Sequence, residues 1–318
     1  MRRLSAGLLT VILIVSLSWS LVGAAGYPSS TIKIMVAAKA GGATDASGRI
    51  IAQFLREQLG VPVVVVNQEG GGGSVATDTT IHAKPDGYTL LYDHVNAHVR
   101  YHTGLYGVSP LDLTPIATTA AVNQTIATDK NSPWQTLDDL VKDAKANPKK
   151  YAFGMQTGAS SHFLSLALMD AAGIELRLLD AGFEADKLAA LRGGQLNLIQ
   201  ATVGAAREYV EADIMRVLAV CATQRDPLAP DFPTAVEQGY DIVFQSMHTL
   251  YGPPELPSEV VNVISDALAK LETDPDYIEK LQKIGHVWGY RNPEGTKAFL
   301  QDEFGRIGRL AEKFGLKK

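Results

Sequence analysis

Two segments far apart in this chain share one design: an apolar strand, a turn of glycine and small hydroxyl residues, then a helix. One turn is Ala40-Gly41-Gly42-Ala43-Thr44-Asp45, and the other is Gln156-Thr157-Gly158-Ala159-Ser160-Ser161-His162. The first N–H groups of a helix have no intrahelical partner, and the helix dipole adds partial positive charge there. A turn of small residues leaves those groups bare, so each turn is suited to hold an anion without covalent chemistry. Two such turns, widely separated in sequence, predict two lobes closing on one anionic ligand.

The 318 residues are enough for about two domains. The N-terminus stands apart. Arg2 and Arg3 precede an apolar run from Leu8 to Val22, and Gly23, Ala24, Ala25 and Gly26 follow. A positive start, an apolar middle and a small-residue exit predict a signal peptide over residues 1–25, cleaved after Ala24 or Ala25, and hence a periplasmic protein. The alternative is an uncleaved membrane anchor, disfavoured by the short run and its A-x-A-like end. Loss of the leader removes two arginines and no acid, moving the formal net charge from −5 to −7. That balance excludes a nucleic-acid partner but not an anionic small ligand, because local N–H groups decide such binding. The single cysteine, Cys221, lies in the apolar run Val217-Leu218-Ala219-Val220-Cys221 and is expected to be a buried, inert thiol.

The mature chain alternates strands and helices, the pattern of an α/β fold with mostly parallel sheets. Strands are expected at 32–36, 63–66, 88–92, 116–127, 151–153, 176–179, 196–201 and 216–221. The helix expected over 45–59 places Ile50, Ile51, Phe54, Leu55 and Leu59 on one face and stops at Gly60. Gly70 to Gly73 with Ser74 opens another helix; the run lacks the spacing and Lys of a nucleotide loop. Thr136 with Asp139 resembles a capping box. Pro275 and Pro293 each suit the first turn of a C-terminal helix. Phe299, Phe304, Ile307 and Leu310 are expected to pack the last helix against the first lobe.

Several segments recur together in one family. They are Tyr27-Pro28-Ser29, the Gly41-Gly42 turn, Val64-Val65-Val66-Asn67 followed by four glycines, and Pro85-Asp86-Gly87-Tyr88-Thr89-Leu90-Leu91. Further along come Gly158-Ala159-Ser160-Ser161-His162, Leu191-Arg192-Gly193-Gly194-Gln195 and Asp231-Phe232-Pro233-Thr234 with Glu237 and Gly239. Their order and spacing, over nearly the whole mature chain, resemble the substrate-binding proteins of tripartite tricarboxylate transporters, the Bug family of periplasmic receptors. The resemblance implies a two-lobe periplasmic-binding-protein fold of the second type, each lobe a Rossmann-like sheet with the ligand in the inter-lobe cleft. It places lobe 1 at 26–120 and 245–318, and lobe 2 at 121–244. It implies a monomeric, non-enzymatic protein without cofactor that delivers a small organic carboxylate to a permease of one large multi-span and one small subunit. Two other roles remain open at this stage: a receptor reporting to a membrane sensor, and an exported α/β hydrolase. No catalytic residue pattern favours the hydrolase.

The chain departs from the family at positions expected to face the ligand. Ala37-Ala38-Lys39-Ala40 stands where a proline-rich run is usual, and Asp180-Ala181-Gly182-Phe183-Glu184 where Pro-Tyr-Lys-Gly-Gly is usual. Ala201-Thr202 replaces a frequent Asp, and Met247-His248 replaces an aromatic pair. The expected ligand-binding set is therefore Lys39, Gly41, Gly42, Thr44, Asp45, His94, Thr157, Gly158, Ser160, Ser161, His162, Asp180 and Thr202. Asp45 also suits the first turn of a helix by charge alone. Lys39 is a candidate for a second carboxylate, with His94 or His98 as further donors, and Asp180 for a ligand hydroxyl or amine. This combination suggests a dicarboxylate or substituted carboxylate. Asp93, His94 and His98 have some metal-like character, but H-E-x-x-H is missing and no metal is expected.

Overall fold

The computed structural model describes residues 26–316; the leader segment lies outside them. In chain order the elements are β1 (Ile32–Val36), α1 (Ala43–Leu59), β2 (Val63–Asn67), α2 (Ser74–Ile81), β3 (Thr89–Asp93), α3 (Asn96–His102) and β4 (Thr114–Asp129). Then come α4 (Leu137–Ala146), β5 (Ala152–Met155), α5 (Ser160–Ala172), β6 (Arg177–Asp180), α6 (Glu184–Arg192), β7 (Leu198–Thr202), α7 (Val203–Glu211) and β8 (Met215–Val220). The chain ends with β9 (Gln245–Gly252), α8 (Ser258–Ala269), α9 (Pro275–Lys283), β10 (Val287–Arg291) and α10 (Pro293–Lys313).

Strand β4 organises the molecule. Its sixteen residues are long enough to serve two sheet halves in turn. From Thr114 to Asn123 it pairs antiparallel with β9, and its other edge carries β10. From Gln124 onward the same strand pairs antiparallel with β7 and β8. The first half therefore runs β2-β1-β3-β9-β4-β10 and the second β8-β4-β7-β5-β6, with β1, β2, β3 parallel to one another and β5, β6, β7 likewise. Sequence periodicity places β4 only at 116–127; β10 and α7 carry no signal strong enough to be expected beforehand.

Each half buries helices on both faces, as parallel sheets require. In the first, Ile32, Ile34 and Leu90 meet Ile51 and Leu55 of α1 and Ile264 of α8. In the second, Phe153 and Leu198 meet Leu140 of α4 and Phe163 of α5, while α6 and α7 cover the opposite face. Thr136 does cap α4: its side chain accepts from the Asp139 N–H while Asp139 accepts from the Thr136 N–H. Cys221 is sealed in this core, and burial pushes its thiol up to about 12.

Helix α10 corrects one expectation. Leu300 joins the first half, with Phe299 packed beside it, but Ile307, Leu310 and Ala311 enter the core of the second. Lys313 pairs with Asp170 of α5. At twenty-one residues, α10 is long enough to span both halves.

Candidate functional site

Both glycine turns lie at the carboxyl ends of their strands, where open α/β sheets bind ligands. In the first, Gly41 takes φ +81, a left-handed conformation that side chains rarely adopt, and Gly158 takes φ +71 in the second. Gly42 caps α1 and Ala159 caps α5, both with extended ψ and without a side-chain cap hydrogen bond. Among the described residues, the N–H groups of Ala43 and Thr44 have no hydrogen-bond acceptor, nor do those of Ser160 and Ser161. Two helix starts thus present bare donors.

Other predicted site residues shape these turns. The Asp45 carboxylate accepts from the Gly41 N–H at 2.8 Å, Arg49 Nε at 3.0 Å and Asn67 Nδ2 at 2.9 Å. Burial alone would raise its pKa, but those bonds outweigh it and hold the carboxyl below its usual value. Asp45 is an anchor of the turn. On the other side, Asp180 accepts from the N–H groups of Thr157 and Gly182, both at 3.1 Å. Ser161 Oγ accepts from the Gln156 N–H at 2.9 Å, and His162 Nδ1 accepts from the Gly158 N–H at 3.3 Å. Thr202 donates its N–H to Glu184 and caps α7 by accepting from the Ala205 N–H. Lys39 lies on the outside of its turn, 78 % exposed and 3.8 Å from Glu69.

The two halves face each other across a cleft of about 310 Å³. Ala43, Gly285 and His286 line it from the first half, Thr202 and Gly204 from the second, and Val122 of β4 from between them. The halves touch where Gly204 meets Gly285 and where Gly158 meets Leu105.

With fold, cleft and paired donors in place, comparison with known proteins is decisive. The sequence profile of the tripartite tricarboxylate transporter family receptor, TctC, matches residues 48–316. This chain belongs to that family. Its members are transport receptors, binding proteins and not enzymes. A UPF0065 protein from the TAR-I ttuE-ttuC' intergenic region of Agrobacterium vitis is 32% identical over 303 residues, covering 93% of this chain and 87% of the relative. The crystal structure of a TctC solute-binding protein from Polaromonas superposes with TM-score 0.83 at 26% identity, covering 90% of this chain and 99% of that one. The R. palustris protein Rpa4515, solved with adipate, gives TM-score 0.74 at 26% identity over 91% of this chain and 98% of its own. These matches establish the periplasmic-binding-protein fold.

Beyond its family scaffold, the receptor gathers polar groups of which sequence reasoning assigned only His94 to the site. His94 at the end of β3 stacks on His248 of β9, and His248 lies beside His286 ahead of β10. Burial lowers the pKa of all three. His94 and His98 do not share a helix face: α3 begins after His94, and His98 is buried against Glu303 of α10, 3.5 Å away. Asp93 is held by Arg100. Among the described residues, no group of three His, Cys, Asp or Glu side chains is placed to hold a metal ion. In the second half, buried Lys187 donates to Gln200, which donates to Gln124 of β4. Met247-His248 drew attention only as a departure from an aromatic pair. His286 gives no sequence signal, since a lone histidine after a helix has many uses.

Proposed function

We propose that this receptor captures a small organic carboxylate between the two sheet halves and, by closing on it, presents it to a two-subunit membrane permease. The observation that carries the reading is the pair of helix starts, α1 and α5, each entered through a left-handed glycine and each with bare N–H groups. A carboxylate has two oxygens and four lone-pair directions, and charge-assisted bonds from such donors are about twice as strong as neutral ones. The N–H groups of Ala43, Thr44, Ser160 and Ser161 are the cradle's donors, and Gly41, Gly42, Thr157 and Gly158, whose own N–H groups are bonded within the turns, give it its curvature. Asp45, Asp180, Ser161, His162 and Thr202 hold its shape, and Lys39 stands at the mouth. In this reading the lobes are 26–120 with 245–318, and 121–244, hinged where β4 changes partners and where the chain returns into β9. The adipate in the R. palustris relative supports a carboxylate ligand. The leader and the periplasmic relatives support a periplasmic location.

The experiment is a thermal-shift screen of the mature protein against mono-, di- and aromatic carboxylates, followed by calorimetry. A ligand at a hundred times its Kd should stabilise the fold by about 2.7 kcal/mol. Absence of stabilisation by every carboxylate, with amines or sugars stabilising instead, would refute the reading.

A further inference from the structure

Lys187 of α6 carries a charge that the cradle does not use. It is 3% exposed, and its ammonium donates to Gln200 Oε1 at 3.0 Å. Among the described residues no carboxylate lies within ion-pair distance of it. Glu184, one turn earlier on α6, instead accepts from the Thr202 N–H at 3.3 Å. A buried ammonium without an acid partner is costly, because it has given up water and gained no counter-charge. Burial accordingly lowers the pKa of Lys187, with the Glu184 charge opposing.

The hydrogen bonds that start at Lys187 run in one direction. Lysine only donates, so Gln200 must turn its oxygen to Lys187 and its Nε2 to Gln124. Gln124 must then turn its oxygen to Gln200, which leaves its Nε2 on the side of Val122, 3.5 Å from that carbonyl. Val122 and Thr202 line the cleft, and Gln124 pairs with Thr202 across β4 and β7. The register of β5 on β7 sets Gln200 one residue past the Gly154–Ile199 pair, level with Met155 at the entry to the second glycine turn. Its side chain shares a sheet face with Leu198, which belongs to the same core as Phe163 of α5. The two oriented amides therefore lie next to the cleft wall, on the face that α5 covers.

The other charges nearby are committed. Arg207 and Lys283, which also line the cleft, pair with Glu211 and Glu279, and Arg207 bonds the Leu228 carbonyl besides. Asp180 holds the N–H groups of Thr157 and Gly182, and Asp186 holds that of Phe183. We propose that Lys187 is a positioning residue for ligand capture, whose buried charge, relayed by the oriented amides of Gln200 and Gln124, takes the carboxylate held at the start of α5 as its counter-ion. The proposal rests on the carboxylate-receptor reading above and adds a fixed charge to the backbone donors of that reading. The empty receptor carries an unpaired ammonium, and the loaded receptor does not. Glu184 is the competing negative charge and works against capture. One unit charge acting over about 8–10 Å at an effective dielectric of about 20 changes affinity roughly fifteen- to thirtyfold.

The test is calorimetry and thermal melting of the mature protein with succinate, adipate and benzoate as probes, on the parent, Lys187→Met and Glu184→Gln. Lys187→Met keeps an apolar stem and removes the charge. It should weaken the tightest probe about ten- to thirtyfold, while the melting temperature of the unliganded protein holds or rises. Glu184→Gln keeps an acceptor for the Thr202 N–H and removes the competing charge, so it should bind the same probe about two- to fivefold more tightly. A purely structural role for these side chains predicts weaker binding in both variants. Where Lys187→Met fails to fold, Glu184→Gln decides alone. Affinity unchanged in Lys187→Met, or not raised in Glu184→Gln, overturns Lys187 as the counter-charge and leaves the receptor reading standing. No stabilisation of the parent by any carboxylate of the wider screen overturns both.

Discussion

Gly204→Leu should weaken ligand binding without touching the ligand and without destabilising the fold. Gly204 lies in the first turn of α7, and a Cβ there would come 3.2 Å from the Gly285 Cα across the cleft, against 3.4–4 Å for ordinary contact. An alanine already asks the halves to part by a few tenths of an ångström. Leucine adds three carbons beyond that point, and the obstacle is backbone held at φ +74. Overpacking of this kind costs about 1–3 kcal/mol. The protein escapes the cost by opening, so the penalty falls on the closed state and lowers the closed-to-open ratio by roughly 5- to 150-fold. Apparent affinity should fall by a similar factor. Within the helix, replacing glycine removes a propensity cost of about 0.5–1 kcal/mol, so the melting temperature of the unliganded protein should hold or rise. Calorimetry, thermal melts and small-angle scattering on Gly204→Ala and Gly204→Leu separate the two effects. An affinity for Gly204→Leu within twofold of the parent would refute the role of this contact in closure.

Three further outcomes follow from named contacts. Burial raises the Glu303 carboxyl to about 7 and lowers His98 to about 3. The folded protein therefore binds more protons at Glu303 between about 4.5 and 7, where stability falls as pH rises, and fewer at His98 between about 3 and 6.5, where it rises. The two slopes oppose each other across their overlap, so Glu303→Gln should expose the His98 slope as a stability that climbs steadily from pH 4.5 to 6.5 in urea titrations; an unaltered pH profile would count against this pair. Asp45→Ala leaves the Gly41 turn unanchored and should cost about 1–3 kcal/mol of stability together with a loss of ligand affinity, measured by urea unfolding and calorimetry. Thr136→Ala removes one half of a capping box far from the cleft and should cost about 1 kcal/mol with binding unchanged.

Local signals carried much of the fold. Val63 to Val66 read as a strand because a continuous β-branched run has few other uses, and Thr136 with Asp139 was legible because a cap is satisfied within four residues. The strand–glycine turn–helix units at Gly41 and Gly158 were visible for the same reason. Asp45 and Asp180 were visible as charges near these turns, but whether they meet a ligand or a backbone N–H is decided by neighbours such as Asn67 and Gly182. Those neighbours arrive only with the folded loop.

By itself the sequence determined the α/β class, the family, the two strand–glycine turn–helix units and the buried thiol at Cys221, all properties of short segments or of their order. Tertiary structure alone decided that β4 serves both sheet halves, that α10 ties them together, and that Gly204 meets Gly285 across the cleft. It alone assembled His94, His248 and His286 into one row. A strand's edges, a helix's far end and a ring's neighbours are filled by residues distant in sequence, and no local period or propensity encodes which ones.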